Sequence, residues 1–108
     1  MTGIADLALH SNQLRHIPHP ALKPVLHGLR TLDLGENLIS EVHPNALSGF
    51  RALYGLRLAG NRLRKLESSI FEKAESIKML NLADNEIEHI DQDTFKPLKK
   101  LKVKNLVF

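Results

Sequence analysis

The sequence predicts an α/β solenoid, with short parallel strands lining a concave face and irregular or short helical returns on the convex side. Three observations predict it. A phrase of the form L-x-x-L-x-L-x-x-N-x-L occurs four times, the copies lie 24 or 25 residues apart, and the same apolar spacing follows each copy. The clearest copy is Leu53-Tyr-Gly-Leu56-Arg-Leu58-Ala-Gly-Asn61-Arg-Leu63. Leu56 and Leu58 stand two apart, so both point to one face of a strand. Asn61 stands where the chain turns away, and its amide can bond backbone groups that the turn leaves unpaired. Leu63 brings the chain back to the core. One such unit cannot bury its own apolar face, so it must stack on copies of itself.

In chain order the units run over about 4–28, 29–52, 53–76 and 77–100, with a partial fifth at 101–108, all within one domain. The first opens with Ile4-Ala-Asp-Leu7-Ala-Leu9-His-Ser-Asn12-Gln-Leu14. Pro18, Pro20 and Pro24 favour an extended or turn-like return there rather than a helical one. The second opens with Leu29-Arg-Thr-Leu32-Asp-Leu34-Gly-Glu-Asn37-Leu-Ile39, and Val42, Leu47 and Phe50 fill its outer core positions. In the third, Leu66, Phe71 and Ala74 do the same. Ser69 and Glu72 form either a capping box that opens one helical turn or a bare 3₁₀ turn. The fourth opens with Ile77-Lys-Met-Leu80-Asn-Leu82-Ala-Asp-Asn85-Glu-Ile87 and continues with Ile90, Phe95 and Leu98. The partial fifth puts Lys104 where Leu32, Leu56 and Leu80 stood. A core-side lysine is costly, so either the chain frays there or Lys104 reaches solvent.

Terminal units of such stacks need polar caps, and none is legible. Open strand edges invite pairing, so self-association through the uncapped ends is expected. The chain reads as an internal piece of a longer solenoid. It has no cysteine, no apolar run approaching the ~20 residues that span a bilayer, and no signal-peptide pattern at Met1-Thr-Gly-Ile. Taken alone, these features fit a cytosolic protein. The formal net charge of +3 comes from Lys96, Lys99, Lys100, Lys102 and Lys104; residues 1–95 hold ten Lys and Arg against twelve Asp and Glu. A basic cluster at one end, without interleaved aromatics, is weak support for nucleic acid as a partner.

The spelling is that of the leucine-rich repeat, in the 24-residue form with phenylalanine on the return that is typical of extracellular members. Leu32-Asp-Leu-Gly-Glu-Asn37, Leu53-Tyr-Gly-Leu-Arg-Leu58 and Leu80-Asn-Leu-Ala-Asp-Asn85 resemble consecutive repeats of insect Toll-family receptor ectodomains, over roughly residues 29–95. The resemblance implies an extracellular or cell-surface module that binds a protein ligand, with no cofactor. The alternative is an intracellular leucine-rich-repeat scaffold or regulatory subunit. A signal peptide or cysteine-rich cap in flanking sequence favours the first reading, and the absence of cysteine here favours the second.

Asn12, Asn37, Asn61 and Asn85 form a column expected to be a structural hydrogen-bond ladder. The solvent-facing positions of the concave strands are Asp6, Ala8, His10, Thr31, Asp33, Gly35, Gly55, Arg57, Ala59, Met79, Asn81 and Ala83. Among them Thr31, Asp33, Arg57, Met79 and Asn81 are the expected partner-binding residues. Asp33 and Arg57 lie one strand apart and can pair, at about 0–1 kcal/mol for an exposed pair. His16-x-x-His19 spans a proline and lacks a cysteine, so the six histidines read as solvated turn residues rather than zinc ligands. His16, Glu41, Lys65 and His89 share one repeat position and should form an edge column, with protonation of His16 favouring that edge in mild acid. No phosphate loop or nucleophile–base set converges, so no catalysis is expected.

Overall fold

A computed structural model of the chain describes residues 4–105. Five short strands, β1 (Asp6–Ala8), β2 (Thr31–Asp33), β3 (Gly55–Arg57), β5 (Met79–Asn81) and β7 (Val103–Asn105), form one sheet in that order. Every pairing is parallel, and the register joins equivalent positions: Leu7 to Leu32, Leu32 to Leu56, Leu56 to Leu80 and Leu80 to Lys104. Strands three residues long suffice because each chain turn is closed again by bonds outside them. For example, Leu34 N–H donates to Arg57 O at 2.9 Å and Leu58 N–H to Asn81 O at 2.8 Å. The molecule is a solenoid in which each unit rests on the next.

The convex side carries a second, two-stranded parallel pair, β4 (Lys65–Leu66) with β6 (His89–Ile90). It also carries two 3₁₀ helices. The one at Ser68–Phe71 is a bare turn: Glu67, at its start, makes no side-chain cap. The other, Pro20–Val25, contains Pro24. The first return is therefore helical, against the expectation drawn from its prolines. A 3₁₀ turn tolerates them because Pro20 sits at the start, where no N–H is required, and proline's fixed φ lies in the 3₁₀ range. Leu22 N–H bonds both Pro18 O and His19 O at 3.1 Å.

The core is a stack of leucines flanked by phenylalanines. Leu29, Leu34, Leu53, Leu58, Leu63, Leu66, Ile77 and Leu82 are fully buried, as are Leu47 and Phe71 behind them. Phe71 stacks on Phe95 with centroids 5.9 Å apart. Two hydroxyls tie the returns to the strands. Thr94, fully buried, donates to Leu66 O at 2.9 Å, and Ser76 donates to Leu53 O at 2.6 Å.

Lys104 resolves its conflict by leaving the core. β7 pairs in register, the Lys104 side chain is exposed, and its Nζ lies 4.5 Å from the centre of the Phe95 ring. The long stem lets the ammonium reach water while an aromatic face partners the charge. Leu106 and the rest of the fifth unit's end lie outside the described residues.

Candidate functional site: the concave sheet

The asparagine side chains set the geometry of every turn below the sheet. Asn61 Oδ1 accepts Ile39 N–H of the preceding unit at 3.0 Å, and its Nδ2 donates to Leu34 O and Leu58 O, both at 3.0 Å. Asn85 repeats this with Leu63 N–H, Leu58 O and Leu82 O. Asn37 accepts from Asn12 N–H and Leu14 N–H and donates to Leu9 O and Leu34 O. Asn12 is exposed, and its side chain bonds only carbonyls of its own unit, Leu9 O and His10 O. The three inner side chains are buried and saturated with bonds.

The residue before each asparagine adopts the left-handed region: Ser11, Glu36, Gly60 and Asp84 have φ of 62°, 54°, 71° and 56°. Only Gly60 does so without a steric penalty. Sequence reasoning missed this position. A glycine in one unit of four is a faint signal, and serine, glutamate and aspartate give none by identity alone.

On the concave surface the rows run Asp6–Thr31–Gly55–Met79 and Ala8–Asp33–Arg57–Asn81–Asn105. Arg57 Nη1 donates to Asp33 Oδ1 at 2.9 Å, and its Nη2 reaches Glu36 Oε1 at 3.4 Å. The guanidinium lies flat because Gly35 has no side chain: a Cβ there would fall 1.7 Å from Nη1. Gly60 likewise makes room for the Glu36 carboxylate. Asp33 also accepts the Gly35 amide at 2.9 Å, as Asn81 accepts the Ala83 amide at 3.0 Å. Partial burial pushes the Asp33 carboxyl up, but the Gly35 amide and the Arg57 guanidinium outweigh it and hold its pKa below the usual carboxylate value. The hydrogen bond that Arg57 donates to Asp33 raises the pKa of Arg57. Asp33, Arg57 and Asn81 are thus held by bonds within the surface.

Beside them lies a shallow depression of about 330 Å³ whose lining includes Thr31, Gly55, Leu56, Met79 and Leu80. Gly55 makes the notch: a Cβ there would touch Thr31 Cγ2 at 3.4 Å and Met79 Cε at 3.7 Å. Met79 is 42% exposed, the large apolar side chain most open to solvent among the described residues. The structure thus brings Thr31, Asp33, Arg57, Met79 and Asn81 onto one patch. Gly35, Gly55 and Ala59, expected to face solvent, are buried, Gly55 between Thr31 and Met79. Arg57 covers the first, and the Ala59 carbonyl accepts Glu36 N–H at the closing turn.

The histidines do not converge. His19 bonds Ser48 O at 2.7 Å through Nε2 and meets Phe50 edge-on at 6.0 Å, so it packs the first unit against the second. Among the described residues no group of three or more His, Cys, Asp or Glu gathers around a metal-sized space. His16, Glu41, Lys65 and His89 do line one convex-side groove. Their ion pairs run elsewhere, however: Lys65 to Glu67 at 4.0 Å, and His89 to Asp91 at 2.8 Å. Among the described residues His16 and Glu41 have no ion partner within 4 Å. The four residues do share one edge, but Lys65 meets the carboxylate two residues further along the chain, so the expected placing of Glu41 between two cations gives no ion pair.

No helix among the described residues is long and apolar enough to cross a membrane. No curated protein matches the chain. The leucine rich repeat family profile matches residues 2–63 and 51–107. Among solved structures, the Toll–Spatzle complex of Drosophila superposes with a TM-score of 0.87 at 26% identity, covering 97% of this chain and 14% of that one. The TLR13–ssRNA13 complex gives 0.83 at 31% identity, covering 94% of this chain and 15% of that one. A glycosylated form of the Toll–Spatzle complex gives 0.80 at 26%. The chain spans about one seventh of the length of these receptors. With matching repeats along nearly its whole length, the chain belongs to the leucine-rich-repeat family and resembles the ectodomains of Toll-family receptors.

Proposed function

We propose that this chain is a protein-binding module of a Toll-like cell-surface receptor ectodomain, and that the partner docks on the concave sheet through Thr31, Asp33, Arg57, Met79 and Asn81. The observation that carries this reading is the Gly55 notch: an apolar depression bordered by an exposed Met79 and by polar groups already held in place. Preorganised polar groups around an apolar anchor site lower the ordering cost of association. Catalysis has no place in this reading. Of the structural neighbours, one is in complex with a protein, Spatzle, and one with single-stranded RNA. A concave patch that carries Asp6, Asp33 and Glu36 against Arg57 suits a protein with basic groups better than a nucleic acid. The intracellular-scaffold reading draws on the absence of cysteine. The outer edges of β1 and β7 are also the proposed sites of self-association.

The test is site-specific photocrosslinking of the gene product in its own cells, with the probe at Met79 or at the convex residue Glu72. The proposal expects a discrete protein adduct from Met79 and none from Glu72, on surface-labelled material. An adduct formed only from Glu72, or with RNA alone, contradicts concave protein binding. A concave adduct confined to material that surface labelling does not reach supports the scaffold.

A further inference from the structure

The flank where the chain enters the sheet has a different chemistry from the concave face. The residues just before β2, β3, β5 and β7 form a column, Arg30, Tyr54, Lys78, Lys102, tied strand to strand. Tyr54 N–H donates to Arg30 O at 2.9 Å, Lys78 N–H to Tyr54 O at 2.8 Å and Lys102 N–H to Lys78 O at 2.7 Å. At ~4.8 Å per strand the column is about 14 Å long. Arg30, Lys78 and Lys102 are exposed, and among the described residues none has a carboxylate within 4 Å. A groove beside the column is lined by Arg30, Ala52, Tyr54, Ser76, Lys78 and Lys100, with no acid among them. Glu72 and Glu75 line an adjoining groove that shares Ser76 and Lys100 with this one. Unpaired cations along a shallow groove raise the local concentration of a linear polyanion.

We propose that this flank binds a sulfated linear polysaccharide laid along the solenoid axis. Two observations favour it over other polyanions. A single-stranded nucleic acid needs aromatic faces for its bases; the column has one ring, Tyr54, and the Arg30 guanidinium sits over it at 5.3 Å. A membrane surface favours apolar residues that insert beside the cations; among the described residues the exposed large apolar side chain, Met79, is on the concave face instead. Arg30 stacked on Tyr54 is held in place for sulfate, while Lys78, Lys100 and Lys102 supply mobile ammonium groups.

The test is binding of a heparin-derived octasaccharide to the whole chain near physiological ionic strength, measured by calorimetry. Three forms are compared: the native protein, the column pair Lys78→Ala with Lys102→Ala, and a control pair, Lys23→Ala with Arg62→Ala. The control removes the same charge from exposed, unpaired positions elsewhere. Far-UV circular dichroism establishes that all three fold alike. The proposal expects at least tenfold weaker binding for the column pair and less than twofold for the control. Equal losses in both pairs mean that net charge alone is being read, and overturn the site. So does the absence of binding by the native protein. Single-stranded oligouridylate of matched charge binding as tightly as the octasaccharide overturns the choice of ligand.

Discussion

The middle units and the outer units are written in nearly the same letters but are not equally built. Leu34 and Leu58 are 0% exposed, whereas Leu7, Leu9 and Leu14 in the first unit and Ile87 and Ile90 in the fourth are only half-buried. The side chains of Asn37, Asn61 and Asn85 reach back to amides of the preceding unit, whereas that of Asn12 bonds only within its own. A repeat's stability is thus supplied by the neighbours on its two sides rather than by its own sequence. The concave patch around Arg57 lies where both neighbours are present.

The largest test of that contrast is a pair of leucines. Leu58→Ala should cost about 4 kcal/mol and Leu9→Ala about 1 kcal/mol, because the cavity in the middle cannot collapse and the outer one opens to water. Urea denaturation midpoints check it, and equal losses break the comparison. The asparagines come next. Asn61→Ala strands the Ile39 amide and leaves Leu34 O and Leu58 O with one donor fewer each, Asn37 and Asn85 still bonding them, and costs roughly 2 kcal/mol, while Asn12→Ala leaves groups that water can reach and costs under about 1 kcal/mol.

These two pairs also mark what the sequence makes legible. The leucine and asparagine positions follow from the 24-residue phase, and so does the register that sets Asp33 beside Arg57. Interactions that depend on where a flexible side chain lies are not readable that way. Glu36 as the second partner of Arg57, His19 against Phe50, and Lys104 over Phe95 all belong to that group. The helical first return was missed because proline was read as a breaker of α-helix, while the return needs only 3₁₀ bonds. The concave patch itself is half legible. Strand alternation gives which residues share the face. The notch exists only because Gly55 sits between Thr31 and Met79.

A smaller effect separates units by backbone rather than by packing. Asp84→Gly relieves a left-handed aspartate and should raise stability by about 0.5 kcal/mol, while Gly60→Ala imposes the same strain and presses on Glu36. Thermal midpoints of the two variants should move in opposite directions. The smallest effect is electrostatic. The Asp33 pKa is lowered in the folded chain, so its contribution is present above the unfolded value, about 3.9, and is lost as pH falls through the folded value. The stability gap between the native protein and Asp33→Asn, at most about 1 kcal/mol, should therefore hold near pH 6 and narrow as pH falls below about 4. A gap independent of pH assigns Asp33 a purely geometric role.

Native-state hydrogen exchange tests most directly whether neighbours on both sides make the platform. The amides to follow are those of Leu58 and Leu63, bonded to Asn81 O and Asn85 Oδ1, against that of Leu9, bonded to Asp33 O. The account predicts that Leu58 and Leu63 exchange only through global unfolding and that Leu9 exchanges through local fraying at a lower free energy. Uniform protection across the three amides contradicts it, and would mean that the outer units are as firmly built as the middle.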